Sequence, residues 1–510
     1  MVLFCRQGEP RLILVATILV LGFCCGVTAT LIARSVARRI GLVDRPDGRR
    51  KLQSGPVAVA GGIAVFFAVV FALLIAVNLL SAVESAFTIV PEKTLALLVA
   101  ALMIAALGLV DDLVSLRARH KIVGQLGAVL ILVVPGGFLI EQVTVFGHVM
   151  ILGSFAIPIT VFWFLGAINA INLLDGMDGL LGTIGCIIFS TIAFMALAGG
   201  HQFEGWVALA MVGALGGFLC FNLPPATVYL GECGSMLIGL IIAALAISAS
   251  LKGPAVAILA PSALLVLPLL DTTAAIIRRK LTGRGLAVAD RGHLHHEMLR
   301  RLLNRWWVLS ITTALGVIGA VGALAGAVND WYAIVSAAIV VLILLTTGLF
   351  GIAEVKLIKQ RATAYFHVAR GKRDTVELSV QLQGDAEWSG LWRQLVTAAD
   401  ELKLQSLRLD VNAPAWHEAF HGRWDRSDSR RDLTAHSSIW KLEIPVYGYN
   451  QIIGRLLIAG MDTKVPVDDQ LSHLSRILHA TETILTPPPH PTNDRDQRPA
   501  GPVIPIPVSA

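Results

Sequence analysis

The sequence predicts an all-α polytopic membrane protein of about eleven transmembrane helices, followed by a small cytoplasmic α+β domain and a disordered Pro-rich tail. Composition is the first reason. With 55% hydrophobic residues, 15% charged residues and a mean hydropathy of +0.71 over 510 residues, the chain is too apolar for a water-soluble globule of its size. The same figures exclude a disordered, collagen-like or disulfide-scaffold chain, because low charge, 22 prolines and 6 cysteines suit none of them. The second reason is a series of long apolar runs, and the third is an abrupt change to soluble-protein composition near Glu354.

Runs long enough to span a bilayer lie near 12–33, 56–80, 94–110, 122–140, 155–171, 180–199, 205–221, 234–249, 255–270, 306–328 and 332–352. The first lies between Arg11 and Arg34 and is long enough to cross, so it reads as an uncleaved helix rather than a secretory signal. Basic residues collect in two connections. One carries Arg34, Arg38, Arg39, Arg45, Arg49, Arg50 and Lys51; the other, after the ninth run, carries Arg278, Arg279, Lys280, Arg284, Arg291, Arg300, Arg301 and Arg305. Both are expected in the cytoplasm, with the amino terminus outside and the chain beyond the last helix inside. The net charge of +6 therefore orients spans rather than gripping nucleic acid. Cys5, Cys24, Cys25, Cys186, Cys220 and Cys233 show no C-x-x-C spacing and read as free thiols.

After the membrane domain (1–353), residues 354–486 alternate as strands do around Val376–Leu382, Leu407–Val411 and Trp440–Val446. Leu391, Leu395 and Leu402, and later Leu471, Leu474, Leu478 and Leu485, have helical spacing. Residues 487–510 are Pro-rich and polar with nothing to bury, the composition of a disordered tail.

Ionisable residues gather where the cytoplasmic connections meet the helices. Asp111 and Asp112 end the third run; Asn169, Asn172, Asp175 and Asp178 lie in NAINLLDGMDGL; Glu232 lies in YLGECGS; Asp271 ends the ninth run; Asp290, His293, His295 and His296 lie in ADRGHLHH. A carboxylate at a helix end is commonly solvated or caps the helix, which explains any one of them. It explains the set poorly, because ionisable groups at a membrane boundary are costly and these share one face. Carboxylates with carboxamides suit a hard, oxygen-liganded cation such as Mg2+, which keeps waters and takes substrate phosphates as further ligands. Arginines and histidines nearby would neutralise phosphate oxygens. The chemistry is that of phosphoryl transfer between a soluble nucleotide and a lipid phosphate.

The runs VDRPDGRRK with Gly61-Gly62, GLVDDL, NAINLLDGMDGL, FNLPPATVYLGECGS and ADRGHLHH, in this order over about residues 10–350, resemble the polyprenyl-phosphate N-acetylhexosamine-1-phosphate transferases. The resemblance implies transfer of GlcNAc-1-phosphate from UDP-GlcNAc to undecaprenyl phosphate at a bacterial inner membrane, with release of UMP and with Mg2+, or Mn2+, as cofactor. It implies catalytic roles for Asp111, Asp112, His293, His295 and His296, and metal binding by Asp112, Asp175 and Glu232. Substrate contacts fall to Arg50, Lys51, Asn169, Asn172, Asp175, Asp178, Asn222, Tyr229, Arg278, Arg279 and Asp290, with Asn222 and Tyr229 near the uridine, where an aromatic ring can stack on the base.

Several residues depart from the family pattern. Glu232 replaces a metal-binding Asp, Gln53 a His, Ala58 a Pro, and Ser115 the last acid of D-D-x-x-D. The H-x-H-H loop resembles the N-acetylglucosamine-phosphate branch more than the branch that transfers phospho-MurNAc-pentapeptide, which is the alternative activity. Zinc bound by the three histidines, a transporter, and a catalytically silent scaffold with a regulatory C-terminal domain are the rivals from other classes. The expected partners are the UDP-sugar, the lipid phosphate, the bilayer, a second copy in a homodimer and downstream glycosyltransferases. The C-terminal domain carries no catalytic signature; its IPVYGYNQIIGRLLIAG stretch faintly resembles small sensory domains of the GAF kind.

Overall fold

A computed structural model describes residues 8–45, 55–248, 256–257, 259–282, 292–369, 375–384, 386–413, 418–426, 439–448 and 451–461. The chain divides after Lys359 into two compact units. In the first, the helices are α1 (Gly8–Ile40), α2 (Gly61–Leu79), α3 (Ser81–Ile89), α4 (Pro91–Val114), α5 (Ala118–Val133), α6 (Ala156–Leu174), α7 (Leu180–Gly199), α8 (Gln202–Asn222), α9 (Gly231–Ser248), α10 (Leu259–Leu264), α11 (Val266–Thr282), α12 (Leu294–Leu302), α13 (Arg305–Gly326) and α14 (Asp330–Thr346). Helix α15 (Ile352–Ala369) crosses the division.

Among the described residues eight helices, not eleven, are long and apolar enough to cross a bilayer: α1, α2, α4, α6, α7, α8, α9 and α13. The other three apolar runs fall short for identifiable reasons. Helix α5 has 16 residues and α14 has 17, about 24–26 Å against a hydrocarbon core of about 30 Å. The run at 255–270 contains Pro261 and Pro268; there the chain forms the six-residue α10 and then α11, whose later turns carry Asp271, Arg278, Arg279 and Lys280.

Close packing rests on small residues, as expected where lipid removes the hydrophobic drive for helices to associate. Gly22 and Gly26 of α1 face Gly213 and Gly217 of α8, one turn apart on each helix, and a Cβ on Gly22 would lie 3.0 Å from the Gly213 Cα. A Cβ on Gly62 of α2 would lie 2.1 Å from the Gly234 nitrogen, and one on Gly108 of α4 would lie 2.3 Å from the Cys233 Cα. These contacts draw α2 and α4 against the first turn of α9. Beside that junction, β1 (Val43–Asp44), β2 (Val57–Val59) and β5 (Val228–Tyr229) form a small sheet in that order. At the other end of α5, β3 (Gln142–Val145) and β4 (His148–Ile151) form a hairpin, with β6 (Val256–Ala257) beside β3.

In the second unit, β7 (Thr375–Gln383), α16 (Trp388–Glu401), β8 (Ser406–Ala413), β9 (Glu418–Arg426), β10 (Ile439–Gly448) and β11 (Gln451–Met461) build an antiparallel sheet ordered β10-β11-β8-β9-β7. Leu407, Leu409, Val411, Phe420, Trp424, Leu456 and Ile458 form one core with Trp388, Leu391, Trp392 and Leu395 of α16. The alternating strand pattern read at three places corresponds to β7, β8 and β10. Strands β9 and β11 were not anticipated as separate elements. The leucine-spaced run from Leu471 and the tail at 487–510 lie outside the described residues.

Candidate active site

The last turn of α4 presents Asp111 and Asp112 on adjacent helical positions, so the two carboxylates diverge. Asp112 points to the start of α9. Its Oδ1 accepts from the Glu232 N–H at 2.9 Å and its Oδ2 from the Cys233 N–H at 3.3 Å, placing the charge against the positive end of that helix. Gly231 makes the approach possible. Its φ is +75°, and a Cβ there would lie 2.6 Å from the Asp112 Oδ2. Asp111 is buried; its Oδ1 accepts from the Leu116 N–H at 2.6 Å across Ser115, which adopts φ +53°, and its Oδ2 meets the Lys121 ammonium.

Lys121, at the start of α5, also lies 3.2 Å from the Glu232 Oε2, so one ammonium joins α4 and α9. The same Oε2 accepts from the Asn172 Nδ2 at 2.7 Å, and that amide also donates to the Ser235 Oγ at 2.9 Å. Asp175 follows directly at the end of α6. Burial, then the charges of Glu232 and Asp112, push its carboxyl up to about 7. Asp111, Asp112, Asn172, Asp175 and Glu232 thus gather at one end of three helices. Asn169, one turn back on α6, turns away and donates to the Gln125 Oε1 at 2.9 Å.

A second lobe forms around Tyr229. Asp178 accepts from the Ala226 N–H at 3.1 Å and pairs with Arg305 at 3.0 Å. Burial, then Asp178 and Asp44, raise the Tyr229 hydroxyl to about 12, so it stays protonated at neutral pH. Asn222 is buried and clips backbone: its Oδ1 accepts from the Gly179 N–H at 3.0 Å and its Nδ2 donates to the Val228 carbonyl at 2.9 Å. It shapes this lobe by holding β5 against the start of α7.

The histidines form a third lobe. Buried Asp271 of α11 accepts from the Leu294 N–H at 2.9 Å and lies 3.2 Å from the His293 Nδ1. His295 lies parallel to His293 with ring centres 6.2 Å apart, and 4.2 Å from the His296 ring. It is 3% exposed, and neither ring nitrogen has a hydrogen-bond partner among the described residues. Burial, then His296 and His293, hold its pKa well below the usual histidine range, so the ring is neutral. A Cβ on Gly176 would lie 2.0 Å from the His295 Nε2, so the histidine lobe closes directly on the residue after Asp175.

Arg278 of α11 is buried in an ion pair with Glu354 of α15, and its neighbour Arg279 on α11 is half-buried. Arg50, Lys51 and Asp290 lie outside the described residues. Sequence reasoning missed Lys121 and Ser235 and gave Asp271 and Arg305 no role.

The donors around Lys121 are all oxygens, and the ammonium itself shows that α4 and α9 together hold a cation there. Among the described residues no three acidic, histidine or cysteine side chains converge on one point as in a closed metal cage. That donor set fits a hard divalent ion bound by one or two carboxylates, with water and substrate phosphates completing its shell.

Residues 94–250, from α4 to the end of α9, match glycosyl transferase family 4. The chain is similar to a probable undecaprenyl-phosphate N-acetylglucosaminyl 1-phosphate transferase of Bacillus subtilis, 30% identical over 325 residues, 62% of this chain and 86% of the relative. It is also similar to the undecaprenyl-phosphate alpha-N-acetylglucosaminyl 1-phosphate transferase of Yersinia pestis, 30% identical over 63% of this chain and 88% of the relative. A decaprenyl-phosphate N-acetylglucosaminephosphotransferase of Mycobacterium tuberculosis is 32% identical over 62% of this chain and 86% of the relative.

Proposed function

The chain belongs to the polyprenyl-phosphate N-acetylhexosamine-1-phosphate transferases, and on that premise we propose that it moves GlcNAc-1-phosphate from UDP-GlcNAc to undecaprenyl phosphate. The observation that carries the proposal is the convergence of Asp111, Asp112, Asp175 and Glu232 with Asn172 at one end of α4, α6 and α9. An oxygen of the lipid phosphate attacks the phosphorus of the sugar phosphate, the bond to the uridine phosphate breaks, and UMP leaves. Asp111 and Asp112 orient the lipid phosphate and hold its proton. The lobe around Asp178, Asn222 and Tyr229 receives the uridine, and neutral His295, whose ring nitrogens have no hydrogen-bond partner among the described residues, receives the sugar phosphate. One or two of Asp112, Asp175 and Glu232 would hold Mg2+, or Mn2+, with water and substrate phosphates, and the ion would neutralise charge developing on the transferred phosphoryl group. The basic residues of the first connection and of the loop after α11 support a cytoplasmic position for this end of the helices, and the bacterial relatives support a bacterial inner membrane.

Purified protein in nanodiscs, given UDP-[14C]GlcNAc, UDP-[14C]GalNAc or UDP-MurNAc-pentapeptide with undecaprenyl or decaprenyl phosphate, tests this. Label entering the lipid phase from UDP-GlcNAc is the expected result. No transfer from any donor would overturn the enzyme reading, and preference for another donor would overturn the sugar.

A further inference from the structure

The C-terminal unit carries a second concentration of charge, on the sheet face opposite α16. Strand β8 is central, and its register with β9 sets Arg408 directly across from Arg423 and Asp410 across from His421. On its other side β11 sets Arg455 across from Asp410. Arg361, from the part of α15 that belongs to this unit, comes close enough to Arg423 and Arg408 for the charges to interact. Like charges directly opposite on an antiparallel pair destabilise a sheet.

Compensation within the unit is partial. Asp425 accepts from the Arg423 Nε at 2.6 Å, while Asp410 and Glu443 lie 3.9 and 3.7 Å from Arg455. The Arg408 Nε is buried and has no hydrogen-bond partner among the described residues. Burial is the main cause that holds the Arg361 and Arg408 guanidiniums below the usual arginine range. Arg423 adds to it at both, against the pull of Asp425 at Arg361 and of Asp410 at Arg408. Part of the face is open to solvent, since the Arg423 and Arg455 side chains are 38% and 43% exposed, while Asp410 and His421 between them are buried. A local rule broken in the middle of a sheet, and only partly compensated by Asp410 and Asp425, is expected where function requires it.

We propose that this face is a binding site for a soluble phosphate-bearing small molecule, held by Arg361, Arg408 and Arg423. A phosphate group carries close to two negative charges and three acceptor oxygens, and guanidinium forks pair with such oxygens two at a time. A phosphate offers these guanidiniums three acceptor oxygens, where a monocarboxylate offers two. Arg408 and Arg423 sit on paired strands, so their spacing is set before the ligand arrives. The site lies in a different unit from the carboxylate cluster and does not depend on the transfer reaction.

The test uses the full-length protein in phosphatidylcholine nanodiscs, in buffer with EDTA and no divalent ion, titrated calorimetrically with inorganic pyrophosphate. Saturable binding is expected, weakened tenfold or more by Arg408→Gln and by Arg423→Gln and unchanged by Asp112→Asn. Arg408→Gln should also keep or raise the unfolding temperature, because it removes a like-charge opposition, and should keep UDP-sugar transfer. No saturable binding, or binding that survives both arginine variants, overturns the proposal. A lowered unfolding temperature in Arg408→Gln with binding intact marks the arginine as structural and also overturns it. Arginine variants that alter only association with phosphatidylglycerol vesicles make the face a lipid contact, and the proposal again fails.

Discussion

Gly231→Ala tests whether the geometry around Asp112 matters to turnover, because it adds one carbon at the tightest point of the candidate site. Gly231 has φ +75°, a conformation that costs an L-residue about 1–2 kcal/mol. Its new Cβ would lie 2.6 Å from the Asp112 Oδ2, at least half an ångström inside ordinary contact, so either the backbone or the carboxylate must yield. If the carboxylate yields, it loses its bonds to the Glu232 and Cys233 N–H groups, each a charged hydrogen bond of about 1.5–3 kcal/mol before water replaces part of it. A displacement of about 1 Å of a group that positions substrate lowers turnover about 10²-fold. The assay is label transfer from UDP-GlcNAc in nanodiscs, with the unfolding temperature followed in parallel. Gly166→Ala serves as control: it lies on the exposed side of α6 with nothing within 4 Å of a Cβ, and should leave transfer unchanged. Gly231→Ala turning over within about threefold of the parent, while folded, would refute the placement of Asp112 in the chemistry.

Other outcomes follow from the same geometry. Glu232→Gln should lose most activity and require more Mg2+, whereas Glu232→Asp should keep measurable activity with a changed Mn2+-to-Mg2+ ratio; unchanged metal dependence in both variants removes Glu232 from the metal set. Lys121→Met removes the ammonium that occupies the Asp111 and Glu232 oxygens, so the Mg2+ concentration for half-maximal transfer should fall severalfold; no change shows that the lysine does not compete with the ion. His295 is neutral in the fold because burial depresses its pKa below the unfolded value of about 6.5. Above pH 6.5 both states are neutral and the group adds no pH dependence. Below it the unfolded chain takes up a proton that the folded chain refuses, so stability falls by about 1.4 kcal/mol per pH unit. Unfolding temperatures at pH 7.5 and 5.5 should therefore separate more in the parent than in His295→Gln, and equal separation would contradict the assignment.

The acids were legible in the sequence because charge at the end of an apolar run is costly and conspicuous. Lys121 was not, because one lysine opening an apolar run looks like any loop charge until α4, α5 and α9 converge. Asn222 was singled out by the family resemblance alone, and no pattern distinguishes an amide that meets a ligand from one that clips Gly179 to Val228. Hydropathy windows gave eleven runs because they register apolar composition and not helix length; α14 is apolar enough but too short. Strand β9 escaped notice because Gly422 interrupts its apolar alternation between Phe420 and Trp424. The glycine is required there, since a Cβ would lie 2.4 Å from the Trp392 ring.

Glu232 is the departure that bears most on the chemistry. Its arm is one methylene longer than that of the aspartate the family resemblance implies, and the structure shows where that length goes: the carboxylate reaches across to the Asn172 amide and to Lys121 while its own N–H remains on Asp112. Among the described residues, Asp111, Asp112, Asp175 and Glu232 together bring four carboxyl groups to one end of the helices, against the Lys121 ammonium and the N-terminal dipole of α9. Half-buried acids in that number repel one another, and the upward shift of Asp175 is the local sign of it. A fold that only needed to cap α9 would require Asp112 alone. The surplus of negative charge is uneconomical for stability and chemically useful only if a cation comes to share it, which is the reason to expect metal dependence to change most in substitutions at Glu232 and Lys121.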